Sequence, residues 1–193
     1  MKNLIYLIIL IFIFDGINNQ KSKKIITKEQ WVEYLIELAN RETKYINIYP
    51  YNLLYFDGEI WYADCVNLHK ALFNGRNIYD FTPDIYQEDL DNTGDIDAND
   101  MINLCTDISK DFTKLKLGEP RIIYVHGHIG AYLGKIISTQ NGLCNVVETT
   151  NSFGEEKIAL SWVDSDGKRR NFKNGILEGK WTKHGLPSLW VEY

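Results

Sequence analysis

Cys65 and the four histidines, His69, His126, His128 and His184, are the side chains best suited to nucleophilic and proton-transfer chemistry. Cys65 opens the run Cys65-Val66-Asn67-Leu68-His69-Lys70-Ala71-Leu72-Phe73, in which Leu68, Leu72 and Phe73 share a helical face and Asn74-Gly75 supplies the stop. At a helix N-terminus, unpaired N–H groups and the macrodipole favour negative charge, so a lowered thiol pKa is expected there. The N–H of Cys65 itself is a candidate oxyanion donor. A thiolate attacking an amide carbonyl still needs an imidazole to protonate the leaving amine, and a polar group to orient that imidazole.

Spacing separates the histidines. His69 lies one turn along the same helix and projects along its surface rather than across a cleft, which gives it a structural reading. His128 opens an alternating run between Gly127 and Gly134. A strand face packed on the Cys65 helix would present it to the thiol, so it is the preferred base. His126, two residues earlier on the same face, replaces it if the register differs. His184, in Lys183-His184-Gly185, reads as a solvent-facing turn residue. Taken singly these signals are commonplace: a cysteine in an apolar helix is usually a small buried residue.

The elements that must position these groups follow from pattern. Thr27, Glu29 and Gln30 predict a helix start, and Trp31, Leu35, Leu38 and Ala39 carry that helix to about Arg41. Tyr45 to Trp61, punctuated by Pro50 and Asp57-Gly58, reads as loop and turns. Asp80 to Asn99 is acidic and turn-forming, with Asp97 and Asp100 capping a short helix through Leu104. Strands follow at Arg121–Val125, His128–Leu133, Asn145–Glu148, Lys157–Val163 and Ser188–Tyr193. Helices first and strands afterwards predict an α+β domain, with helices packed on an antiparallel sheet.

Composition narrows the function classes. A chain that is 45% hydrophobic, 13% aromatic and 24% charged is folded rather than disordered, and its 193 residues suit one domain acting as a monomer. A net charge of -5 leaves no basic face to neutralise phosphates, so no nucleic-acid partner is expected. Met1-Lys2-Asn3 before the unbroken apolar run Leu4 to Phe14 has the shape of a signal peptide. That run is too short to cross a bilayer core of about 30 Å. Residues 1–20 are therefore read as a signal peptide, 21–44 as a tether and first helix, and 45–193 as the main domain, secreted and without a stable anchor after cleavage. Three cysteines leave at least one without an intramolecular partner; Cys105 and Cys144 either pair or are buried separately. Asp89, Asp91, Thr93, Gly94, Asp95, Asp97 and Asp100 approach the spacing of a calcium loop. Thr93 at the fifth place and Asp100 where a longer glutamate closes the shell make a solvated acidic loop the simpler account. No zinc spacing is present, and neither metal nor cofactor is expected.

Asp64-Cys65-Val66-Asn67-Leu68 resembles the Asp-Cys-Ser-Gly-Leu element that carries the nucleophile in NlpC-type peptidases, and Gly127-His128-Ile129-Gly130-Ala131-Tyr132-Leu133-Gly134 resembles their Gly-His-Val-Gly-Ile-Tyr-Ile-Gly strand. Leu117-Gly118-Glu119 is similar to the turn before that family's preceding strand, and Val146-Val147-Glu148-Thr149 to its next strand. Trp181-Thr182-Lys183-His184-Gly185 and Trp190-Val191-Glu192-Tyr193 resemble the version found in phage-type endolysins. The likeness runs roughly from Tyr49 to Tyr193. It implies a papain-like fold and a secreted cysteine peptidase or amidase acting on peptidoglycan, with Cys65 as nucleophile and His128 as base. It also implies an imidazole-orienting residue, Glu148, with Asn145 and Asn151 as substitutes. Of Tyr49, Tyr51 and Tyr55, Tyr51 is the preferred neighbour of the oxyanion site. Val66-Asn67 departs from the commoner Ser-Gly, and the hairpin between His128 and Glu148 is longer than usual. A binding protein on a retired peptidase scaffold, and an acyltransferase using the same pair, are the alternatives.

Overall fold

Local rules set the helix ends. In this computed structural model, which describes residues 26–46, 54–75, 77–79, 84–85, 96–152 and 156–193, strand β1 (Ile26–Thr27) leads into α1 (Lys28–Ala39). Thr27 and Gln30 cap α1 reciprocally: the Gln30 N–H donates to Thr27 Oγ1 at 3.3 Å, and the Thr27 N–H donates to Gln30 Oε1 at 3.2 Å. Trp31, Val32, Leu35 and Leu38 form its buried stripe. The 1–20 leader, Tyr49, Tyr51 and Asp89 to Asp95 lie outside the described residues.

The stretch read as loop, Tyr45 to Trp61, is bounded by two short strands, β2 (Thr43–Tyr45) and β4 (Trp61–Ala63), and carries a third, β3 (Tyr55–Phe56). Two or three residues are too few to display alternation, which is why pattern missed them. After β4 come α2 (Cys65–Phe73), β5 (Asp84–Ile85) and α3 (Ala98–Leu104). β2 to β5 make a small sheet of order β2-β4-β3-β5, with β2 parallel to β4. The capping box of Asp97 and Asp100 opens α3 as expected.

The remaining strands are β6 (Thr106–Ser109), β7 (Arg121–Val125), β8 (His128–Thr139), β9 (Gly142–Thr150), β10 (Lys157–Val163), β11 (Lys168–Arg170), β12 (Leu177–Lys180), β13 (Lys183–Leu186) and β14 (Val191–Glu192). β6 to β13 pair antiparallel in the order β12-β11-β10-β9-β8-β7-β13-β6, a meander whose last strand returns beside the first. β14 is much shorter than the strand expected at Ser188–Tyr193, and it pairs in parallel with β1. β8 and β9 run longer than their patterns suggested, with a register shift between Tyr132 and Ile137. Gly134 sits in that shift at φ +65, and a Cβ there would come within 2.8 Å of the Glu119 backbone nitrogen.

Pleating divides the large sheet's side chains. Ile122, Ile129, Ala131, Val147 and Ile158 join Leu35, Leu68 and Leu72 of the helices in the main core. Ile123, Tyr132, Val146, Val163 and Trp181 pack with Phe112 in a second cluster. Among the described residues the architecture is thus α+β, with helices on a large antiparallel sheet. None of these helices is long and apolar enough to cross a membrane.

Candidate active site

Asp64 builds the head of α2. Its Oδ1 accepts from the N–H groups of Val66 at 2.8 Å and Asn67 at 2.7 Å, and its Oδ2 accepts from Asn67 Nδ2 at 2.5 Å. The N–H of Cys65 makes no hydrogen bond to another described residue and acts on its own sulfur. Every residue of α2 is buried, so the thiol meets little water. Burial, reinforced by the charge of Asp64, pushes the Cys65 thiol up to about 12, although the backbone of Ile129 and of Cys65 itself favours the thiolate. The lowered pKa expected from the helix terminus is therefore not found. Desolvation outweighs the dipole, and at neutral pH the resting group is a thiol.

His128 starts β8, and its Nε2 lies 2.8 Å from Glu148 Oε2. Glu148 on β9 is fully buried. Burial alone would raise its pKa, but the hydrogen bond from His128 and the charge of Arg169 bring it down to about 2. An ionised carboxylate only accepts, so a neutral ring here carries its proton on Nε2 and leaves Nδ1 as an acceptor. Nδ1 has no partner among the described residues. The ring stacks on Trp181 with centroids 5.4 Å apart and planes 18° apart. Gly130 makes room for this packing, since a Cβ there would stand 3.1 Å from Glu148 Cβ and 3.3 Å from the Trp181 ring.

Among the described residues no hydrogen bond joins Cys65 to His128. The sulfur lies against the backbone of Ile129, the residue after His128. His128 shares its strand face with Gly130 and Tyr132, whereas Ile129 and Ala131 pack under the helices. Presentation from the helix-packed face is thus corrected: the imidazole comes from the first residue of the strand, at the sheet's end.

The other histidines sort clearly. His126 is exposed in the β7–β8 turn beside Gly127, whose φ is +73, and not on a strand face. His184 is not a solvent-facing turn residue. It is buried in β13, with Nδ1 3.2 Å from Arg121 Nη1 and Nε2 3.1 Å from the Asp111 carbonyl oxygen. Arg121 in turn pairs with Asp107 and Glu119, so this cluster clasps β6, β7 and β13 together. Of the candidate orienting residues, only Glu148 reaches His128. Asn145 bridges to the backbone of Val163 at 2.9 and 3.1 Å, and Asn151 is exposed. Tyr55 stacks on Tyr62 at 5.6 Å in the small sheet. Cys105 and Cys144 are separate buried thiols.

Sequence reasoning missed three residues. Ser161 Oγ donates to Glu148 Oε1 at 2.6 Å, Arg169 Nε lies 2.9 and 3.1 Å from the two carboxylate oxygens, and Trp181 floors the imidazole. Ser161 and Arg169 lie on strands β10 and β11, and Trp181 in the connection between β12 and β13, and the pairing that brings them to Glu148 and His128 is invisible in the local pattern.

His69 is buried in the main core beside Trp31 and Phe73, with both ring nitrogens unpaired. Burial, then repulsion from His128, takes its pKa down to about 3. The unfolded chain takes up this proton near 6.5 and the folded chain does not, so stability is full above that pH and falls as pH drops towards about 3. His184, lowered mainly by burial, acts in the same sense. The urea midpoint is expected to be lower at about pH 5 than at about pH 7.5, and His69→Phe to remove much of the difference. An undiminished difference in that variant contradicts the assignment.

Comparison of the chain with family models, with curated proteins and with solved structures returns no match. No group of three His, Cys, Asp or Glu side chains among the described residues could hold a metal ion. The groups on these elements are a thiol and a backbone N–H at a helix head, and an imidazole hydrogen-bonded to a buried carboxylate. Those are the parts acyl transfer requires.

Proposed function

We propose that this chain is a secreted cysteine hydrolase that cleaves amide bonds of peptidoglycan on a papain-like, NlpC-type domain. The observation that carries the reading is the His128–Glu148 hydrogen bond on β8 and β9, next to the backbone that touches the Cys65 sulfur. The chain order of cysteine, histidine and acidic residue supports it, as does the likeness of the segments bearing them to that family.

Because the resting thiol is neutral, His128 acts first as a general base. Nδ1 takes the thiol proton as sulfur attacks the carbonyl carbon, and the oxyanion forms beside the Cys65 N–H. Collapse breaks the C–N bond, the amine leaves with the proton from His128, and a thioester remains. Water, deprotonated by the same nitrogen, hydrolyses the thioester and restores the thiol.

Wild type and Cys65→Ala, each incubated with purified peptidoglycan, are to be compared by mass spectrometry of the soluble fragments. Wild type is expected to release muropeptides with new termini that identify the bond cut, either in the stem peptide or at the sugar–peptide amide. Cys65→Ala is expected to release none. No release by wild type rejects the proposal, and new amine adducts in place of free termini identify an acyltransferase. The buried, neutral thiol favours a second reading, a wall-binding protein on the same scaffold. Binding of peptidoglycan by wild type without fragment release identifies that case.

A further inference from the structure

We propose that Arg169 is a positioning residue that fixes the imidazole of His128 through Glu148. The inference rests on the hydrolase reading of this site.

The Glu148 carboxylate is held from three strands. Oε2 faces His128 Nε2 at 2.8 Å and Arg169 Nη2 at 2.6 Å; Oε1 accepts from Ser161 Oγ at 2.6 Å; Arg169 Nε spans both oxygens. Arg169 is itself braced by Thr150 Oγ1 at 2.8 Å and by the Trp181 ring, 5.5 Å from its guanidinium carbon. Trp181 also floors the imidazole. The guanidinium therefore touches both the acceptor of the ring's hydrogen bond and the surface the ring lies on.

Chemistry makes the cation consequential. A fully buried carboxylate without a counter-charge takes up a proton. The resulting O–H would donate to the ring instead of accepting from Nε2, and the ring proton would no longer be fixed there. With Arg169 in place the carboxylate only accepts, and Nδ1 stays free to take the thiol proton. Arg170 provides the contrast, since it pairs with Asp164 at 2.9 Å and donates to the Gly175 carbonyl at 2.8 Å, away from Glu148.

The test is NMR of the full chain carrying 15N-labelled histidine, at a mildly alkaline pH, in wild type, Arg169→Met, Arg169→Lys and Arg170→Met. Wild type and Arg170→Met are expected to show His128 as the Nε2–H tautomer, with a slowly exchanging low-field imidazole proton. In Arg169→Met that proton is expected to be lost to exchange and the tautomers to mix, while kcat falls about 10- to 100-fold with KM little changed. Arg169→Lys keeps the cation but cannot span both oxygens, so its signal and kcat should fall between the two. A folded Arg169→Met with the wild-type imidazole spectrum overturns the proposal. If Arg169→Met does not fold, a wild-type spectrum in Arg169→Lys overturns it. The spectra need no turnover, so a wild type that shows these signals but hydrolyses nothing refutes the hydrolase reading while leaving the contact between Arg169 and the imidazole established.

Discussion

Replacing Glu148 by alanine is expected to destabilise the fold by roughly 3–5 kcal/mol, because it breaks a buried ion pair by removing the carboxylate. The carboxylate has no exposed surface and accepts from His128, Ser161 and Arg169 together. Its lowered pKa points in the same direction. A fall from the ordinary 4.5 to about 2, at about 1.4 kcal/mol per decade of proton affinity, stabilises the folded state by about 3 kcal/mol. That contribution is present above about pH 4.5 and is lost as the pH falls towards about 2. Glu148→Gln keeps the shape but turns an amide N–H towards one of the donors, so it should cost less stability and far more catalysis, about 10⁴-fold in kcat if the ring settles in the wrong tautomer. Urea unfolding of both variants, with kcat measured beside KM for the glutamine, checks the pair of effects. An alanine variant as stable as wild type would mean that the buried carboxylate is not ionised.

The second large effect concerns the reactivity of Cys65. Burial holds all three thiols of this chain above their ordinary pKa, Cys65 and Cys105 to about 12. On burial alone Cys65 would alkylate no faster than the other two, since the thiolate is the reacting species. What distinguishes it is an imidazole nitrogen without a partner near the backbone that touches the sulfur. A positioned base contributes about 10²- to 10⁴-fold. His128→Ala is accordingly expected to remove an advantage of at least about 10²-fold from Cys65. The His128 ring is partly exposed at a strand end, so its loss should leave the fold intact.

Local chemistry was legible in the sequence; non-local pairing was not. Thr27 with Gln30, Asp97 with Asp100, and Asn74-Gly75 each fix a helix end through contacts within a few residues, and the helices begin and end where those residues said. β10 likewise spans Lys157–Val163, as its β-branched and aromatic run suggested. Lys183-His184-Gly185 read as a turn because nothing nearby shows that β13 pairs with β7, which places His184 opposite Ile123. Arg169 was hidden for the same reason. In Lys168-Arg169-Arg170 no neighbour marks the middle residue, and only the pairing of Arg169 with Val163 on β10 turns its side chain towards Glu148. The thiol's pKa was misjudged because a helix terminus is visible in sequence whereas burial is a property of the whole core.

The central claim is that His128, oriented by Glu148, makes Cys65 a nucleophile. Its most direct measurement is the rate of iodoacetamide labelling at near-neutral pH, resolved thiol by thiol by peptide mass spectrometry, in wild type and His128→Ala. Cys65 is expected to label well ahead of Cys105 and Cys144 in wild type, and to fall to their rate in the variant. Equal, slow labelling of all three thiols in wild type, or a fast Cys65 that does not notice the loss of His128, contradicts the account.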